Sequence, residues 1–394
     1  METKSRGALI GAAFLMATSA IGPGFLTQTA VFTDSFKANF GFAIIVSIII
    51  GIGAQLNIWR IICISKKRGQ DIANLILNGL GHTIAFLVLF GGFAFNVGNI
   101  AGCALGTDAL LGLNLKTGAA ISGIIAIILF LSRELGKAMD NFTKILGFLM
   151  IFLICIVLIK IGTPIGEAVK RTFAPSIIPF LPIITMVGGT VGGYISFSGA
   201  HRLVDADITG KENLKRITNS SLSGLLITGL VRILFFLCVL GVVIMGVSLD
   251  PANPPASAFM LGSGIIGYRI FGLILWVAGI TSVVGCSYTS ISFFKTLSSY
   301  VEKKFSTFII VFIVISTLIF LLIGKPVSLL IFAGAINGLI LPVTLGAILL
   351  TSRNKKLFPD YKHPMWMIMY GIIALGFSIY SAWKSFEAIF SLFG

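Results

Sequence analysis

The sequence predicts an all-α integral membrane protein with eleven membrane-spanning helices in a single domain. Of its 394 residues, 56% are hydrophobic and only 11% are charged, and the mean hydropathy is +1.02. A soluble chain carries about twice that charged fraction. The apolar residues also form long continuous runs, whereas the strands of a membrane β-barrel alternate apolar and polar residues.

The apolar runs are long enough to cross a bilayer, which takes roughly 20 helical residues. The eleven predicted spans, numbered in chain order, are 8–33, 40–64, 82–111, 117–133, 143–162, 178–204, 221–248, 264–298, 306–323, 326–350 and 366–390. Spans 3, 6 and 8 are long for one crossing, so we expect them to be tilted or interrupted. All eleven belong to one transmembrane domain that covers residues 1–394.

The positive charge of the chain lies in the loops. The formal net charge is +15, but the basic residues occupy short loops between apolar runs, so we expect no nucleic-acid partner. With the N-terminus inside, the inner loops carry twenty Lys and Arg residues and the outer loops seven. Because basic loops stay in the cytoplasm, we predict a multi-pass protein with the N-terminus inside and the C-terminus outside. We also expect a monomer in the cytoplasmic (inner) membrane.

Two predicted spans contain glycine-rich segments in mid-membrane. Span 1 carries Gly22-Pro23-Gly24, and span 6 carries four glycines between Gly188 and Gly193. Proline removes an amide donor and clashes with the preceding turn, and glycine lowers the cost of non-helical angles. Unwound backbone survives at that depth only where it is buried or lines a cavity. We therefore predict breaks in both helices. The alternatives are a proline kink in span 1 and small-residue helix packing in span 6.

The two predicted breaks lie five helices apart. Five spans followed by five more must place the second copy upside down, because an odd number of crossings separates corresponding helices. The repeats would cover about 8–162 and 178–350, with 366–390 as an extra helix. Inverted repeats with matching interrupted helices indicate a secondary transporter with a midplane site for a small-molecule substrate.

Uncharged hydrogen-bonding side chains accompany these segments. Gln28 follows the first break by about one turn, and Asn96 and Asn99 lie three residues apart in span 3. Asn337 lies in span 10, five residues before Pro342. Each of these side chains could instead hold neighbouring helices together. As a set, they predict a cavity lined with amides.

Ionisable residues are scarce in the predicted spans. The acidic residues fall at span ends or in loops, and so do the three histidines. A dehydrated divalent cation normally needs carboxylate or imidazole ligands. The sequence also contains no zinc spacing, phosphate-binding loop or nucleophile elbow. We therefore predict no metal site, no cofactor and no enzymatic activity.

Arg232 is an unusual cation, because it lies about ten residues into span 7. An intramembrane charge indicates a functional site by default. Arg232 could balance an anionic substrate or a carboxylate on another helix. A structural ion pair, or a wrongly drawn span, would also account for it.

The sequence resembles the NRAMP family of LeuT-fold transporters over most of its length. The likeness is carried by Gly22-Pro23-Gly24-Phe25 in span 1, by Thr190-Val191-Gly192-Gly193-Tyr194 in span 6, and by Leu341-Pro342 with Leu350-Thr351-Ser352-Arg353 in span 10. This resemblance implies a LeuT-type 5+5 inverted repeat with an eleventh helix, in which helices 1 and 6 are broken.

Metal-transporting members of that family read Asp-Pro-Gly-Asn and Met-Pro-His at the two breaks, where the Asp, Asn and Met side chains bind the ion. In this sequence the three ligand positions are occupied by Gly22, Phe25 and, within one residue, Gly192. Tyr194 falls at the histidine position. The acidic positions that serve proton movement fall at Asn96 and Asn99. The resemblance therefore supports the fold more strongly than it supports metal transport.

The segment from Ala17 to Thr29 is similar to a bacterial branch of this family that is often encoded beside 5-oxoprolinase genes. That similarity implies 5-oxoproline or another small organic acid as substrate. The alternatives are a transporter of Mn²⁺, Fe²⁺ or Mg²⁺ and a membrane sensor that does not transport. The predicted substrate-binding residues are Gly22, Pro23, Gly24, Phe25, Gln28, Asn96, Asn99, Gly189, Gly192, Gly193, Tyr194 and Asn337, with Arg232 as a charge partner.

Overall fold

The computed structural model describes residues 20–295, 297–355 and 357–393, together with Leu9 and Ala12. These residues are helical almost throughout. The helices, numbered in chain order, are α1 Pro23–Phe36, α2 Phe40–Ser65, α3 Gly69–Asn74, α4 Leu80–Leu111, α5 Leu115–Leu131, α6 Arg133–Ile161, α7 Ile165–Phe173, α8 Phe180–Val191, α9 Gly193–Asp205, α10 Leu214–Ile244, α11 Pro254–Lys295, α12 Ser299–Lys303, α13 Phe305–Ile323, α14 Pro326–Thr351, α15 Met365–Lys384 and α16 Phe386–Phe390.

Nine helical stretches within the described part of the chain are long and apolar enough to cross a membrane. The first stretch, Pro23–Ser65, contains α1 and α2. Helix α1 corresponds to the second half of predicted span 1, and α2 corresponds to predicted span 2. Helix α5 is apolar but shorter, with 17 residues, and corresponds to span 4. Of residues 8–19 in span 1, the structure describes only Leu9 and Ala12.

Predicted span 8 begins at the point where helix α11 is interrupted. Helix α11 covers Pro254–Lys295, and Gly264, with φ 76° and ψ −169°, divides it into two helices. The second of these starts where span 8 was predicted to start, so the interruption lies at the start of the span and not within it. The first helix, 254–263, was not predicted. Span 3, also predicted to be tilted or interrupted, is the continuous helix α4.

Helix α4 packs most extensively against α11 and also contacts α14, α5 and α13. Glycines allow the close approach of α4 and α11: a Cβ atom at Gly279 would lie 2.5 Å from the Cys103 sulfur, and one at Gly272 would lie 2.7 Å from the Leu110 amide nitrogen. Small residues at helix contacts are typical of membrane bundles, where packing replaces the hydrophobic effect between helices.

The outer surface of the bundle is apolar. Phe148 of α6 and Leu322 of α13 have 77% and 83% of their surface exposed, and both helices carry several other exposed aliphatic or aromatic side chains. Soluble monomers rarely expose apolar surface of this extent, whereas lipid solvates it. The described helices therefore form a multi-pass membrane protein.

Candidate substrate site at the two helix breaks

The first break lies at Ile21 and Gly22. Ala20 is helical, the next two residues are not, and α1 begins at Pro23 with Gly22 as its extended N-cap (φ −109°, ψ −174°). Proline suits the first helical position, because its missing amide hydrogen would have no helical partner there. Pro23 and Gly24 are therefore helical, and the break lies one residue earlier than the sequence predicted.

Side chains of two other helices surround the first break. A Cβ atom at Gly22 would lie 3.2 Å from Ser282 Oγ of α11 and 3.8 Å from Asn99 Oδ1 of α4. The Asn99 amide nitrogen is buried without a hydrogen-bond partner. Pro23 packs so closely on α4 that a Cβ atom at Gly102 would overlap its ring. The first break is therefore bordered by uncharged hydrogen-bonding groups.

The second break separates α8 from α9. Gly192 is extended (φ −86°, ψ 161°), and Gly193 begins α9 with φ 51°, in the left-handed region that favours glycine. The Ser196 hydroxyl donates a hydrogen bond to the carbonyl of Val191, the last residue of α8. Within the predicted segment 188–193, only the last two residues depart from regular helix, and Gly188 and Gly189 lie inside α8.

Helix α14 packs directly behind the second break. A Cβ atom at Gly188 would overlap the Gly334 carbonyl oxygen of α14. Asn337 of α14 donates a hydrogen bond of 2.8 Å to the Gly91 carbonyl of α4. Its own Oδ1 atom lies against Gly193 and is buried without a hydrogen-bond partner. The structure therefore places Asn337 at the second break, with α4 on its other side.

Gln28 connects the two broken helices. Its Nε2 atom donates a hydrogen bond of 2.9 Å to the Leu330 carbonyl of α14. Its Oε1 atom is buried without a hydrogen-bond partner, and a Cβ atom at Gly189 of α8 would lie 3.2 Å from it. A side chain of the first broken helix thus lies beside the second one.

The two asparagines of α4 that were predicted for the site have different neighbours. The Asn96 amide nitrogen donates to Ser316 Oγ of α13 at 3.1 Å, whereas Asn99 borders the first break. Tyr194, in the first turn of α9, is buried, and its ring packs edge-on against Phe95 with centroids 5.9 Å apart. Asn96 is thus directed at a neighbouring helix, as a residue that joins helices would be.

Arg232 lies in the middle of α10 and is only 2% exposed. Its guanidinium carbon is 4.1 Å from the centroid of the Phe25 ring, which makes a cation–π contact with α1. Its Nε and Nη2 atoms are buried without hydrogen-bond partners. Among the described residues, no carboxylate forms a salt bridge with it.

The groups at the breaks can bind a small solute through hydrogen bonds. Helices α1 and α9 both begin at a break, so each presents the positive end of its dipole there. Side-chain amides and hydroxyls supply further donors and acceptors. Within the described ranges, no cluster of three or more His, Cys, Asp and Glu side chains is placed to hold a metal ion.

Sequence reasoning missed two groups that border the site. Ser282 follows Thr281 in mid-span, and this polar pair in an apolar run could have marked the position. The Leu330 carbonyl, which accepts from Gln28, has no sequence signal because every residue carries a carbonyl.

The described helices have the LeuT-type fold. The structure is similar to the manganese transporter of Eremococcus coleocola in complex with an aromatic bis-isothiourea compound, with a TM-score of 0.78 and 14% identity over 97% of this chain and 86% of that one. It is also similar to MhsT in complex with L-phenylalanine, with a TM-score of 0.68 and 17% identity over 95% of this chain and 98% of that one. These likenesses confirm the predicted fold, a 5+5 inverted repeat with an eleventh helix.

The family follows from sequence. The model of the family described as "Natural resistance-associated macrophage protein-like" matches residues 13–385, so the chain belongs to this family of membrane transporters. The chain is also 55% identical to the uncharacterized membrane protein YcsG of Bacillus subtilis (strain 168), over 93% of this chain and 91% of that protein. The resemblance drawn from the two glycine-rich segments is thereby confirmed.

Proposed function

We propose that this protein is a secondary transporter that moves a small organic acid or an amino-acid-like solute by alternating access. The observation that supports this substrate class is the chemistry around the breaks. The side chains there are Asn99, Ser282, Gln28 and Asn337, which are uncharged hydrogen-bonding groups, and the nearby charge, on Arg232, is positive. Such a site favours an anion or a polar solute over a cation.

Backbone groups at the breaks contribute to the proposed binding. The first turn of a helix has amide N–H groups without helical partners, and these groups, with the helix dipole, bind carboxylates and other anions. Helix α1 begins at Pro23, which has no amide hydrogen, so its first N–H groups are those of Gly24 and Phe25, and α9 begins at Gly193. In inverted-repeat transporters, half-helix N-termini point at anionic substrate groups in this way.

Alternating access in this proposal is a movement of one repeat against the other. The first repeat covers about 8–162, the second about 178–350, and 366–390 is the additional helix. Gln28 bridges α1 to α14 and to Gly189, so it lies between the two repeats. We place the N-terminus in the cytoplasm and the C-terminus outside the inner membrane, from the loop charges, and we propose a monomer as the transporting unit.

Transport of a divalent metal ion is the second candidate. The solved relative from Eremococcus coleocola is a manganese transporter, and the Gln28 Oε1 and Asn337 Oδ1 atoms are buried acceptors without partners. These oxygens could hold a partly hydrated ion. The buried guanidinium of Arg232 beside the first turn of α1 argues against metal transport, because it and a metal cation would repel each other strongly in a medium of low dielectric constant.

Uptake into proteoliposomes tests the proposal. Purified full-length protein is assayed with acetate, lactate, pyruvate, succinate, 5-oxoproline, L-proline and L-alanine, and in parallel with Mn²⁺ and Mg²⁺. We expect uptake of at least one organic solute and no Mn²⁺ uptake above protein-free liposomes. Mn²⁺ uptake without uptake of any organic solute would overturn the proposal, and solute binding without flux would identify a sensor.

A further inference from the structure

The Arg232 guanidinium lies in the membrane interior without a counter-charge among the described residues. A buried charge that lacks a partner is costly, and an apolar side chain of similar volume usually gives equal or greater stability. The neighbouring residues of α10 include buried apolar side chains, for example Val231 and Phe235. Arg232 therefore opposes stability, and intramembrane residues of that kind indicate function.

The two unpartnered nitrogens of Arg232 lie on the same edge of its guanidinium. Nε and Nη2 carry N–H bonds that run parallel, which is the geometry that binds both oxygens of one carboxylate. The guanidinium carbon lies over the Phe25 ring, 4.1 Å from its centroid, and this contact leaves the Nε and Nη2 atoms without hydrogen-bond partners. The arrangement is that of a bidentate anion site without its anion.

The position of this fork relates it to the first break. Phe25 is the third residue of α1, so the guanidinium lies against the first turn of the broken helix. The positive charge of Arg232 therefore adds to the positive dipole end of α1. One anionic group near this turn would interact favourably with both the Arg232 charge and the dipole end of α1.

We infer that Arg232 binds the carboxylate of the transported solute through its Nε and Nη2 atoms, and that this solute carries one negative charge. The inference rests on the proposed function and names the residue that recognises the solute. The fork is buried in this conformation, so the carboxylate reaches it when α1 moves relative to α10 during the transport cycle. Phe25 keeps the guanidinium oriented while no anion is bound.

Binding measurements on variants test this assignment. The full-length protein in detergent is titrated with acetate, lactate, pyruvate, succinate and 5-oxoproline in a thermal-shift assay, and then with the carboxamide of the best ligand. We expect wild type to bind the carboxylate and not the amide. In Arg232→Met the carboxylate affinity falls at least about thirty-fold, the usual effect of removing one partner of a buried charge pair. The unfolding midpoint of ligand-free Arg232→Met stays equal to that of wild type or rises.

Two further variants complete the design. Arg232→Lys keeps the charge but loses the parallel fork, so it should still prefer carboxylate over amide and bind it several-fold more weakly than wild type. Arg269→Met removes an exposed arginine of α11 and should leave the affinity unchanged. If Arg232→Met cannot be purified folded, Arg232→Lys decides: unchanged carboxylate affinity in that variant overturns the inference.

The outcomes separate this inference from the proposed function. The inference fails if Arg232→Met binds the carboxylate with wild-type affinity, whether or not its unfolding midpoint is lower than that of wild type. Arg232 then only holds α1 to α10, and the proposal of carboxylate transport stands. If wild type responds to no carboxylate and takes none up, the proposed function itself fails and takes the inference with it.

Discussion

The two helix breaks are built differently. At the first break, Gly22 has an ordinary extended conformation, and its neighbours are the side chains of Ser282 and Asn99. At the second break, Gly193 has a left-handed conformation, and Gly188, one turn earlier in α8, lies against the backbone of α14. Backbone geometry thus requires glycine at the second break but not at the first.

This difference suggests separate roles for the two breaks. A glycine that the backbone does not require leaves free space, and at Gly22 that space borders the Ser282 hydroxyl and the Asn99 side-chain oxygen. A glycine in direct contact with another backbone is fixed by packing, as Gly188 is. We therefore expect substitutions at the first break to change the substrate and substitutions at the second to prevent folding.

The largest effect is expected at Gly188. In Gly188→Ala the new methyl group would overlap the Gly334 carbonyl oxygen, and neither backbone can rotate away. Overpacking of this kind costs about 3 kcal/mol at the upper end of its usual range. We expect little monodisperse protein after detergent extraction, measured by size-exclusion chromatography. Gly147→Ala on α6, where no heavy atom lies within 4 Å, is the matched control and should behave as wild type. Normal recovery of Gly188→Ala would show that the contact with α14 is not rigid.

The next largest effect is expected at Gly22, where a substitution should reduce transport while the protein still folds. Gly22→Asp places a carboxylate beside Ser282 Oγ, which can donate to it, and near the Asn99 side chain, whose Oδ1 atom is the one closest to Gly22. The backbone angles at Gly22 accept any residue, so the protein should fold. Its new charge repels an anionic solute, and like-charge contacts cost several kcal/mol. We expect uptake of the organic solute to fall roughly a hundredfold.

Gly22→Ala provides the control for this variant, because its methyl group fits at 3.2 Å from Ser282 Oγ once that hydroxyl rotates. Uptake by Gly22→Ala should stay within a few-fold of wild type. If Gly22→Asp transports the organic solute at the wild-type rate, the first break does not hold the anion. A gain of Mn²⁺ uptake together with this result would favour the metal candidate.

A smaller effect is expected at Gln28, which joins the two breaks. Gln28→Ala removes the hydrogen bond to the Leu330 carbonyl, worth about 1 kcal/mol, and empties the space beside Gly189. We expect folded protein with uptake about tenfold lower than wild type. Thr33→Ala, which loses only the bond to Thr29 within the same helix, is the matched control. Equal uptake by both variants would show that Gln28 is structural only.

The existence of both breaks could be predicted because proline and glycine act locally. Their boundaries could not, since Pro23 fits the first position of α1 and Gly188 and Gly189 remain helical. The distinction between Asn96 and Asn99 depends on where α13 packs. That packing is a long-range property, which the spacing of residues along the chain does not show. Ser282 differs, because the polar pair Thr281-Ser282 in an apolar run is a local signal that could have marked it.

A third region, the loop before α15, differs from both breaks in holding a histidine. His363 Nε2 lies 2.9 Å from Asn57 Oδ1 of α2, and His363 Nδ1 lies 2.9 Å from the Tyr361 hydroxyl. Burial, reinforced by the nearby charge of Arg60, lowers the pKa of His363 from 6.5 to about 4. The neutral imidazole is therefore the form that joins this loop to α2.

This region should give the smallest effect. Because the pKa of His363 is lower in the folded state, its contribution to stability is complete above pH 6.5 and is lost as the pH falls toward 4. We expect the free energy of unfolding to fall by about 1 kcal/mol between pH 7.5 and 5.5 from this group. His363→Gln removes the titratable group but keeps an N–H donor for Asn57. The free energy of unfolding of this variant should therefore depend less steeply on pH, by a slope that corresponds to at most one bound proton. Parallel profiles for the two proteins, from chemical denaturation in detergent, would show that His363 is solvated. No histidine lies at either break among the described residues, so Gly22→Ala should keep the wild-type pH profile of stability. This result would separate the transport site from the contact that supports α15.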